Sequence, residues 1–212
     1  MNIATRDVTI HLPGLTLCLA AVRDVEALIT DPADAEAVPL WAEIWPAARG
    51  LAGYIWERLD FTGATVLELG AGLGLPGVVC GLKGARVTFS DYRPEALQLA
   101  AVNAARHGVT DARRLLADWR CFPVTERFDC LVGSDILYDP KFHPCLLRIC
   151  RQSLKPGGQL LFSHPGRPAA FAFIEQWRKE TACREHREII AVNVPDPYFP
   201  VYHIHIHHLT LC

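Results

Sequence analysis

The middle of the chain alternates short apolar runs with stretches in which apolar residues recur at helical spacing. Five runs have the length and composition of buried strands, namely 66–69, 86–90, 113–117, 130–133 and 159–163. Three intervening stretches, 77–82, 94–107 and 142–154, have the pattern of helices, and the turn-forming residues 155–158 close the last one. Strands that alternate with helices predict a parallel sheet that is covered on both faces.

The N-terminal region has a different pattern. Residues 8–12 and 15–19 alternate apolar with other residues around a Pro-Gly turn, which predicts a β-hairpin. A connector rich in Pro and Asp follows over 31–39. The next apolar periodicity predicts a helix over 47–59, and Pro46 suits its first turn.

The C-terminal region predicts two further strands, at 185–194 and 201–211. The segment between them is too short for a crossover helix, so the two strands should be antiparallel. We therefore expect an α/β fold with a Rossmann-like, seven-stranded sheet: five parallel strands and a C-terminal antiparallel pair, extended by the N-terminal β-hairpin. Residues 1–39 form the hairpin and connector, residues 40–212 form the main domain, and both belong to one globular unit.

Composition limits the class of protein. The 212 residues are 50% hydrophobic and carry a formal charge of -2, which is typical of a soluble domain with its own core. The balanced charge, the missing signal-peptide pattern and the lack of a membrane-spanning stretch predict a cytoplasmic protein, with a monomer favoured and no nucleic-acid or membrane partner. Eight scattered cysteines without a CxxC pair favour buried thiols over a metal centre.

A glycine-rich loop carries the strongest chemical signal. Gly70, Gly72 and Gly74 lie between a predicted strand and a predicted helix, where missing side chains let a ligand approach the backbone. Asp91 ends the next strand, at the spacing at which an acidic residue accepts hydrogen bonds from ribose hydroxyls. Together they predict a site for an adenosine group.

Two cofactors fit this loop. Gly72, Gly74 and Gly77 also spell the GxGxxG pattern of NAD-binding proteins. Glu68, two positions before the first glycine, suits a cationic amino group better than a pyrophosphate, and the antiparallel end of the sheet is unlike a six-stranded dinucleotide fold. We therefore expect S-adenosyl-L-methionine, with S-adenosyl-L-homocysteine as its product. NAD and a turn required only for packing remain as alternatives.

Several more residues are candidate cofactor contacts. Asp118 and Trp119 end the third predicted strand, where a carboxylate and an aromatic ring could meet adenine, although Trp119 could equally belong to the core. Tyr92, beside Asp91, and Ser134, at the end of the fourth strand, complete this set.

The acceptor side is predicted after the fourth strand. Asp135 and Tyr138 should lie beside the methyl group, where a carboxylate can hydrogen-bond an amine and an aromatic ring can contact its stem. The alternative is that Asp135 caps a helix and Tyr138 fills the core. His164 and Arg167 follow the fifth strand and should form a substrate rim, with Arg167 facing an acidic surface of a partner.

Three histidines near the C-terminus alternate with isoleucine. His203, His205 and His207 should share one face of the last strand, and an HxH pair can bind a metal. Because no carboxylate partner is identifiable and half-buried strands alternate in this way, we expect an ordinary strand and no metal.

Four segments between residues 40 and 168 resemble the seven-strand "family 16" methyltransferases, which include protein lysine methyltransferases and those that modify the electron transfer flavoprotein beta-subunit. They are Trp41-Ala-Glu-Ile-Trp-Pro-Ala-Ala, Glu68-Leu-Gly-Ala-Gly-Leu-Gly, Ser134-Asp-Ile-Leu-Tyr138 and His164-Pro-Gly-Arg-Pro. The resemblance implies that Trp45 approaches the cofactor and that the Asp-x-x-Tyr signature lies beside a target lysine. The last segment has His164 where the flavoprotein-modifying branch has Asp, and Asp118-Trp119 is more similar to other lysine methyltransferases of the family.

The function expected from these residues is methyl transfer from S-adenosylmethionine to a lysine side chain of a protein. N-methylation of a small-molecule amine is an alternative because a fold does not determine the acceptor. A second alternative function is that of a non-catalytic cofactor-binding partner protein, and a third is that of a nicotinamide-dependent oxidoreductase.

Overall fold

The computed structural model describes residues 3–29, 31, 38–124, 126–195 and 198–212. Most of the predicted connector, residues 32–37, lies outside the described residues, as do residues 196 and 197 between the last two strands. The strands are β1 (Thr5–Leu12), β2 (Leu15–Val22), β3 (Thr65–Leu69), β4 (Arg86–Asp91), β5 (Arg113–Leu116), β6 (Phe128–Ser134), β7 (Leu154–His164), β8 (Cys183–Asn193) and β9 (Val201–Leu211). The helices are α1 (Pro46–Arg58), α2 (Leu75–Leu82), α3 (Pro94–Arg106), α4 (His143–Ser153) and α5 (Pro168–Glu180).

Seven strands form the main sheet in the order β5-β4-β3-β6-β7-β9-β8. The pairs β5–β4, β4–β3, β3–β6 and β6–β7 are parallel, whereas β9 is antiparallel to both of its neighbours, β7 and β8. This confirms the predicted sheet of five parallel strands with a C-terminal antiparallel pair. The carboxyl ends of β3, β4 and β6 therefore lie together at one edge, where the candidate site is expected.

Two local expectations were incomplete. Residues 155–158, predicted as a turn, belong to β7, and the register of β6 against β7 shifts between Phe128 and Cys130, which accommodates the Pro-Gly-Gly sequence. Helix α5 was not predicted, although Phe173, Ile174 and Trp177 bury one face of it. All five α-helices described have a proline in their first turn, a position that needs no N–H donor. Pro168 therefore indicates in the sequence where α5 begins.

Alternating side chains of the strands fill two cores, one on each face of the sheet. Val66 packs on the side of α1, α2 and α3, and the next residue, Leu67, packs on the side of α4 and α5. The second core contains Phe173 and Trp177 of α5, both almost completely buried. In the described part of the chain, no helix has the length and apolar character needed to span a membrane.

The N-terminal hairpin β1–β2 is a separate two-stranded sheet that packs against the main domain. Asn103 on α3 receives a hydrogen bond from the Ala20 N–H (2.7 Å) and donates to the Ala20 carbonyl (3.1 Å) and the Leu73 carbonyl (2.9 Å). His107 Nε2 accepts from the Cys18 N–H at 3.1 Å. These contacts pair part of the edge of β2 and join the hairpin to the glycine-rich loop.

Candidate functional site

The glycine-rich loop has the backbone that a close ligand contact requires. Gly70, Gly72 and Gly74 have φ values of 60°, 53° and 79°, a left-handed conformation that favours glycine. A Cβ atom at Gly72 would lie 3.2 Å from the Trp41 carbonyl oxygen. The loop therefore has little space for side chains, because neighbouring protein atoms already surround its backbone.

Asp91 lies at the end of β4 and is almost completely buried. Its Oδ2 accepts from the Gly72 N–H at 3.0 Å, and its Oδ1 accepts from the Arg93 N–H at 2.9 Å. Burial raises the pKa of this carboxyl, and the backbone donors act against that shift. Tyr92, next in the chain, is 50% exposed. The carboxylate is thus held in one orientation beside the loop.

Glu68 differs from the expectation that it meets a cationic amino group. The side chain is only 1% exposed, and its Oε2 accepts from the Gly77 N–H at 3.0 Å. Burial raises the pKa of this carboxyl to about 8, so it is mostly protonated at neutral pH. The Glu68 side chain therefore stabilises the first turn of α2 through this hydrogen bond, and it does not present a negative charge to a ligand.

Asp118 and Trp119 have different surroundings. Asp118 caps the short turn Trp119–Cys121 and accepts from the Arg120 N–H and guanidinium, which holds the pKa of its carboxyl below the ordinary value. The Trp119 ring packs edge-on against Phe142, and a Cβ at Gly70 would lie 3.1 Å from it. Trp119 therefore borders the glycine-rich loop, whereas the Asp118 carboxylate is paired with its neighbour.

The two tryptophans before α1 also differ. Trp45 is the N-cap residue of α1, and its indole N–H donates to the Leu40 carbonyl at 2.7 Å. The Trp41 backbone lies against Gly72, and its buried indole N–H has no acceptor among the described residues. Trp41 was not among the candidates, although its indole would be a buried donor beside the loop.

Asp135 follows β6 in a strained conformation. It has a φ of 52° and is the only non-glycine residue of the described chain with a positive φ, a conformation that concentrates at functional sites. The turn that begins there contacts the cofactor loop, since a Cβ at Gly70 would lie 3.0 Å from Ile136 Cγ2. The segment from Asp135 to Tyr138 and the glycine-rich loop are therefore neighbours.

Arg167 does not face outward as expected. Its Nε lies 2.6 Å from Asp135 Oδ1, and its Nη2 lies 2.7 Å from Asp135 Oδ2, which forms a bidentate ion pair. The Asp135 side chain is 8% exposed, and the Arg167 side chain is 39% exposed. The predicted acceptor carboxylate therefore already has a cationic partner within the chain.

Tyr138 and Ser134 lie on either side of Asp135 in the chain. Tyr138 is 40% exposed, and burial raises the pKa of its phenol, with Tyr92 as the next contribution. Ser134 ends β6, is partly buried and is paired in register with Ser163 of β7. Both residues lie at the edge of the sheet where the glycine-rich loop is located.

His164 is fully buried, which contradicts its predicted place on a rim. Its Nδ1 accepts from the N–H groups of Gly166 and Arg167, and its Nε2 lies 3.0 Å from His207 Nε2. The expectation that His207 lacks a carboxylate partner was also wrong, because its Nδ1 lies 2.7 Å from Glu185 Oε1. Even so, the described residues contain no group of three or more His, Cys, Asp and Glu side chains that could hold a metal.

Comparison with known proteins identifies the family. Residues 19–179 match the family model described as lysine methyltransferase. The chain belongs to this family. The predicted family is thereby confirmed, and so is S-adenosylmethionine as its cofactor. The left-handed glycines, the fixed Asp91 carboxylate and the Trp119 ring lie together at the carboxyl ends of the strands.

The relatives of this family member have different substrates in their names. It is 32% identical over 124 residues to histidine protein methyltransferase 1 homolog of Dictyostelium discoideum (55% of this chain, 40% of that protein). It is 33% identical over 129 residues to EEF1A lysine methyltransferase 3 of Xenopus tropicalis (58% and 56%), and 35% identical over 121 residues to a ubiquinone biosynthesis O-methyltransferase of Xanthomonas oryzae (56% and 51%). The matches thus span about half the length of these relatives.

Solved structures show the same fold at low identity. A putative RNA methyltransferase from Pyrococcus horikoshii has a TM-score of 0.65 and 17% identity, covering 91% of this chain and 92% of that chain. A putative methyltransferase complexed with SAH has a TM-score of 0.65 and 13% identity, covering 99% and 57%. The α/β methyltransferase fold is therefore confirmed.

Proposed function

We propose that the protein transfers a methyl group from S-adenosylmethionine to a lysine side chain of a protein substrate, with Asp135 and Tyr138 at the acceptor. The observation that supports the proposal is that the turn beginning at Asp135 borders the glycine-rich loop, since a Cβ at Gly70 would lie 3.0 Å from Ile136 Cγ2. The strained φ of Asp135 supports a functional role for this turn.

The residues of the site divide into two groups by their roles. The cofactor supplies a methyl group on a positively charged sulfur. The glycine-rich loop, Asp91 and Trp119 hold the adenosine part, and Asp135 hydrogen-bonds the acceptor nitrogen so that its lone pair is aligned with the methyl carbon. An amine must be neutral to attack, and its proton leaves to solvent along the exposed side of Tyr138.

A protein acceptor is favoured over a small amine by the openness of the rim. Tyr92 and Tyr138 are 50% and 40% exposed. Small-molecule sites enclose most of their ligand, whereas a lysine carried on a protein surface needs only a shallow entrance for its side chain. A relative named for its action on EEF1A lysine agrees with this assignment.

The test uses radiolabelled S-adenosylmethionine and a lysate of the host organism, separated afterwards into macromolecules and small molecules. We expect labelled protein that yields methyl-lysine on hydrolysis. Asp135→Ala should abolish the label while cofactor affinity, measured by calorimetry, stays within about twofold, because the proposed role of Asp135 is to contact the acceptor and not the cofactor. Label confined to small molecules would favour the amine alternative, and cofactor binding without any label would favour the non-catalytic one.

A protein histidine is a second candidate acceptor, and the Asp135–Arg167 ion pair favours it. An imidazole can present a neutral nitrogen near pH 7, so it has no need of an uncompensated carboxylate. A histidine protein methyltransferase is among the relatives. Methyl-histidine in place of methyl-lysine in the hydrolysate of labelled protein would decide for this acceptor.

A further inference from the structure

The loop 165–168 joins β7 to α5 and carries Arg167 to Asp135. Gly166 in this loop is left-handed, with a φ of 91°. His164 Nδ1 accepts from the Gly166 N–H at 3.1 Å and from the Arg167 N–H at 3.0 Å. A ring nitrogen that accepts backbone hydrogen bonds carries no proton, so neutral His164 must be protonated on Nε2.

That proton determines the tautomer of the next ring. His164 Nε2 lies 3.0 Å from His207 Nε2, and since the first nitrogen donates, the second must accept. His207 then carries its proton on Nδ1, which lies 2.7 Å from Glu185 Oε1. The backbone of the loop, the two rings and the carboxylate thus form one chain of hydrogen bonds with a single direction.

Both rings are neutral in this chain. Burial lowers the pKa of His164 to about 3, and the neighbouring His207, His205 and Arg187 act in the same direction. Burial also lowers the pKa of His207, although Glu185 opposes this shift. The tautomers deduced from the hydrogen bonds therefore apply across the neutral pH range.

The ion pair addresses a conflict in amine methylation. A lone carboxylate binds an ammonium group but also stabilises its charge, which keeps the proton on the nitrogen. Paired with Arg167, Asp135 retains lone pairs that can accept from the acceptor nitrogen, since an ionised carboxylate has about four acceptor positions. The Arg167 guanidinium, fixed in the ion pair, offsets most of the negative charge of the Asp135 carboxylate.

We infer that Arg167 is a positioning residue that lets Asp135 hold the acceptor amine without stabilising its proton, and that the chain from His164 through His207 to Glu185 keeps Arg167 in place. The inference rests on the proposed role of Asp135.

The ammonium loses its proton to water. The nitrogen lone pair then forms the C–N bond as the S–C bond breaks and its electron pair returns to sulfur. The histidine chain takes no part in proton transfer, because it ends on backbone N–H groups.

The main test is the pH dependence of methyl transfer. The charged and titratable groups around the ion pair are Tyr138, with Tyr92, Asp139 and Lys141 around it, and His164 behind Arg167. Initial rates are measured from about pH 6.5 to about pH 10 with radiolabelled S-adenosylmethionine and the acceptor protein, purified from the labelled fraction of the lysate, both at saturating concentrations, because the rate then reports the pKa of the bound amine. Arg167→Gln should raise the apparent pKa of the rate by about one unit, which gives about a tenfold loss at neutral pH that closes at high pH.

Matched variants separate charge from structure. Arg167→Lys, which keeps the charge, should retain the wild-type profile, and Lys179→Gln, which removes a cation from an exposed pair on α5, should leave rates unchanged. His164→Asn keeps an acceptor for the two N–H groups and should preserve most of the rate, whereas His164→Leu should behave like Arg167→Gln. An equal loss at every pH for Arg167→Gln, or no loss, would overturn the inference.

Nitrogen-15 NMR tests the chain of hydrogen bonds from His164 through His207 to Glu185 without reference to activity. Two-bond nitrogen–proton spectra of the full chain should show His164 protonated on Nε2 and His207 protonated on Nδ1. The opposite tautomer of either ring would refute the proposed chain of hydrogen bonds even if methyl transfer occurs. If wild-type protein labels no macromolecule while both tautomers are as expected, the proposed function fails and the chain stands as a structural support.

Discussion

Replacing Glu68 with Gln should make the protein more stable, by an amount that grows with pH. The carboxyl is almost completely buried, and its hydrogen bond from the Gly77 N–H can be kept by the Gln carbonyl. The change removes a group that must either bind a proton or carry a charge in an apolar environment.

The sign follows from the raised pKa. The folded protein holds the Glu68 proton up to about pH 8, whereas the unfolded chain loses it near the ordinary value of 4.5. Between these limits the native state binds more protons, so wild-type stability falls as the pH rises. From about pH 5 to about pH 7.5 this group costs the wild type about 3 kcal/mol, at about 1.4 kcal/mol per unit.

The assay compares thermal unfolding of wild type and Glu68→Gln, both without cofactor, at these two pH values. For a chain of this size, about 3 kcal/mol corresponds to roughly 6–12 °C in Tm. The advantage of the variant should therefore be several degrees larger at pH 7.5 than at pH 5. Asp91, whose pKa is also raised, is present in both proteins, and only its charge interaction with Glu68 differs between them. An advantage of equal size at both pH values, or none, would refute the assigned environment of Glu68.

Three other variants test separate features. Asn103→Ala should lower the free energy of unfolding by about 3 kcal/mol in urea, because it leaves three buried backbone groups without their partner. Asp129→Asn should destabilise the protein at pH values above the ordinary pKa of 3.8: against the opposing effect of burial, hydrogen bonds from the Thr65 N–H and hydroxyl and from Lys155 lower the pKa of this carboxyl to about 2, so its stabilising effect is lost as the pH falls through that value. Gly77→Ala should weaken binding of S-adenosylmethionine in calorimetry at least tenfold, because its Cβ would overlap Glu68 Oε2 and displace the start of α2.

Each of these three predictions has either a matched control variant or an outcome that would contradict it. Gly53→Ala is the match for Gly77→Ala, since its Cβ would have only a distant neighbour at 3.9 Å, and it should leave cofactor affinity unchanged. A loss below about 1 kcal/mol for Asn103→Ala would show that water replaces its contacts. A difference between Asp129→Asn and wild type that is as large near pH 2 as at neutral pH would contradict the ionic origin of the effect.

The fold was predictable because its information is local. The consecutive apolar residues Val66 and Leu67 already indicate a strand buried on both faces, and the short link before β9 excludes a crossover helix. The glycine spacing and Asp91 likewise predicted a nucleotide site from neighbouring positions. Helix α5 was missed, although its proline and its apolar spacing were visible in the sequence.

The pairings of the acceptor side were not predictable from local patterns. Arg167 and Asp135 are 32 positions apart, and His164 and His207 are 43 apart, so their contacts depend on the order of strands in the sheet. Glu68 was expected to bind a ligand because of its position in the motif. Its rotamer, which turns the carboxyl toward Gly77, is a property of the packed structure.

The place of β9 has a consequence for how the protein is made. This strand lies between β7 and β8, although it follows both in the chain. During synthesis, β8 therefore leaves the ribosome before the strand that joins it to the sheet exists. The half that contains the glycine-rich loop can mature first, and the support of the Arg167 loop, which needs His207 on β9, is assembled last. A nascent chain stalled before residue 201 would hold the first half without the second.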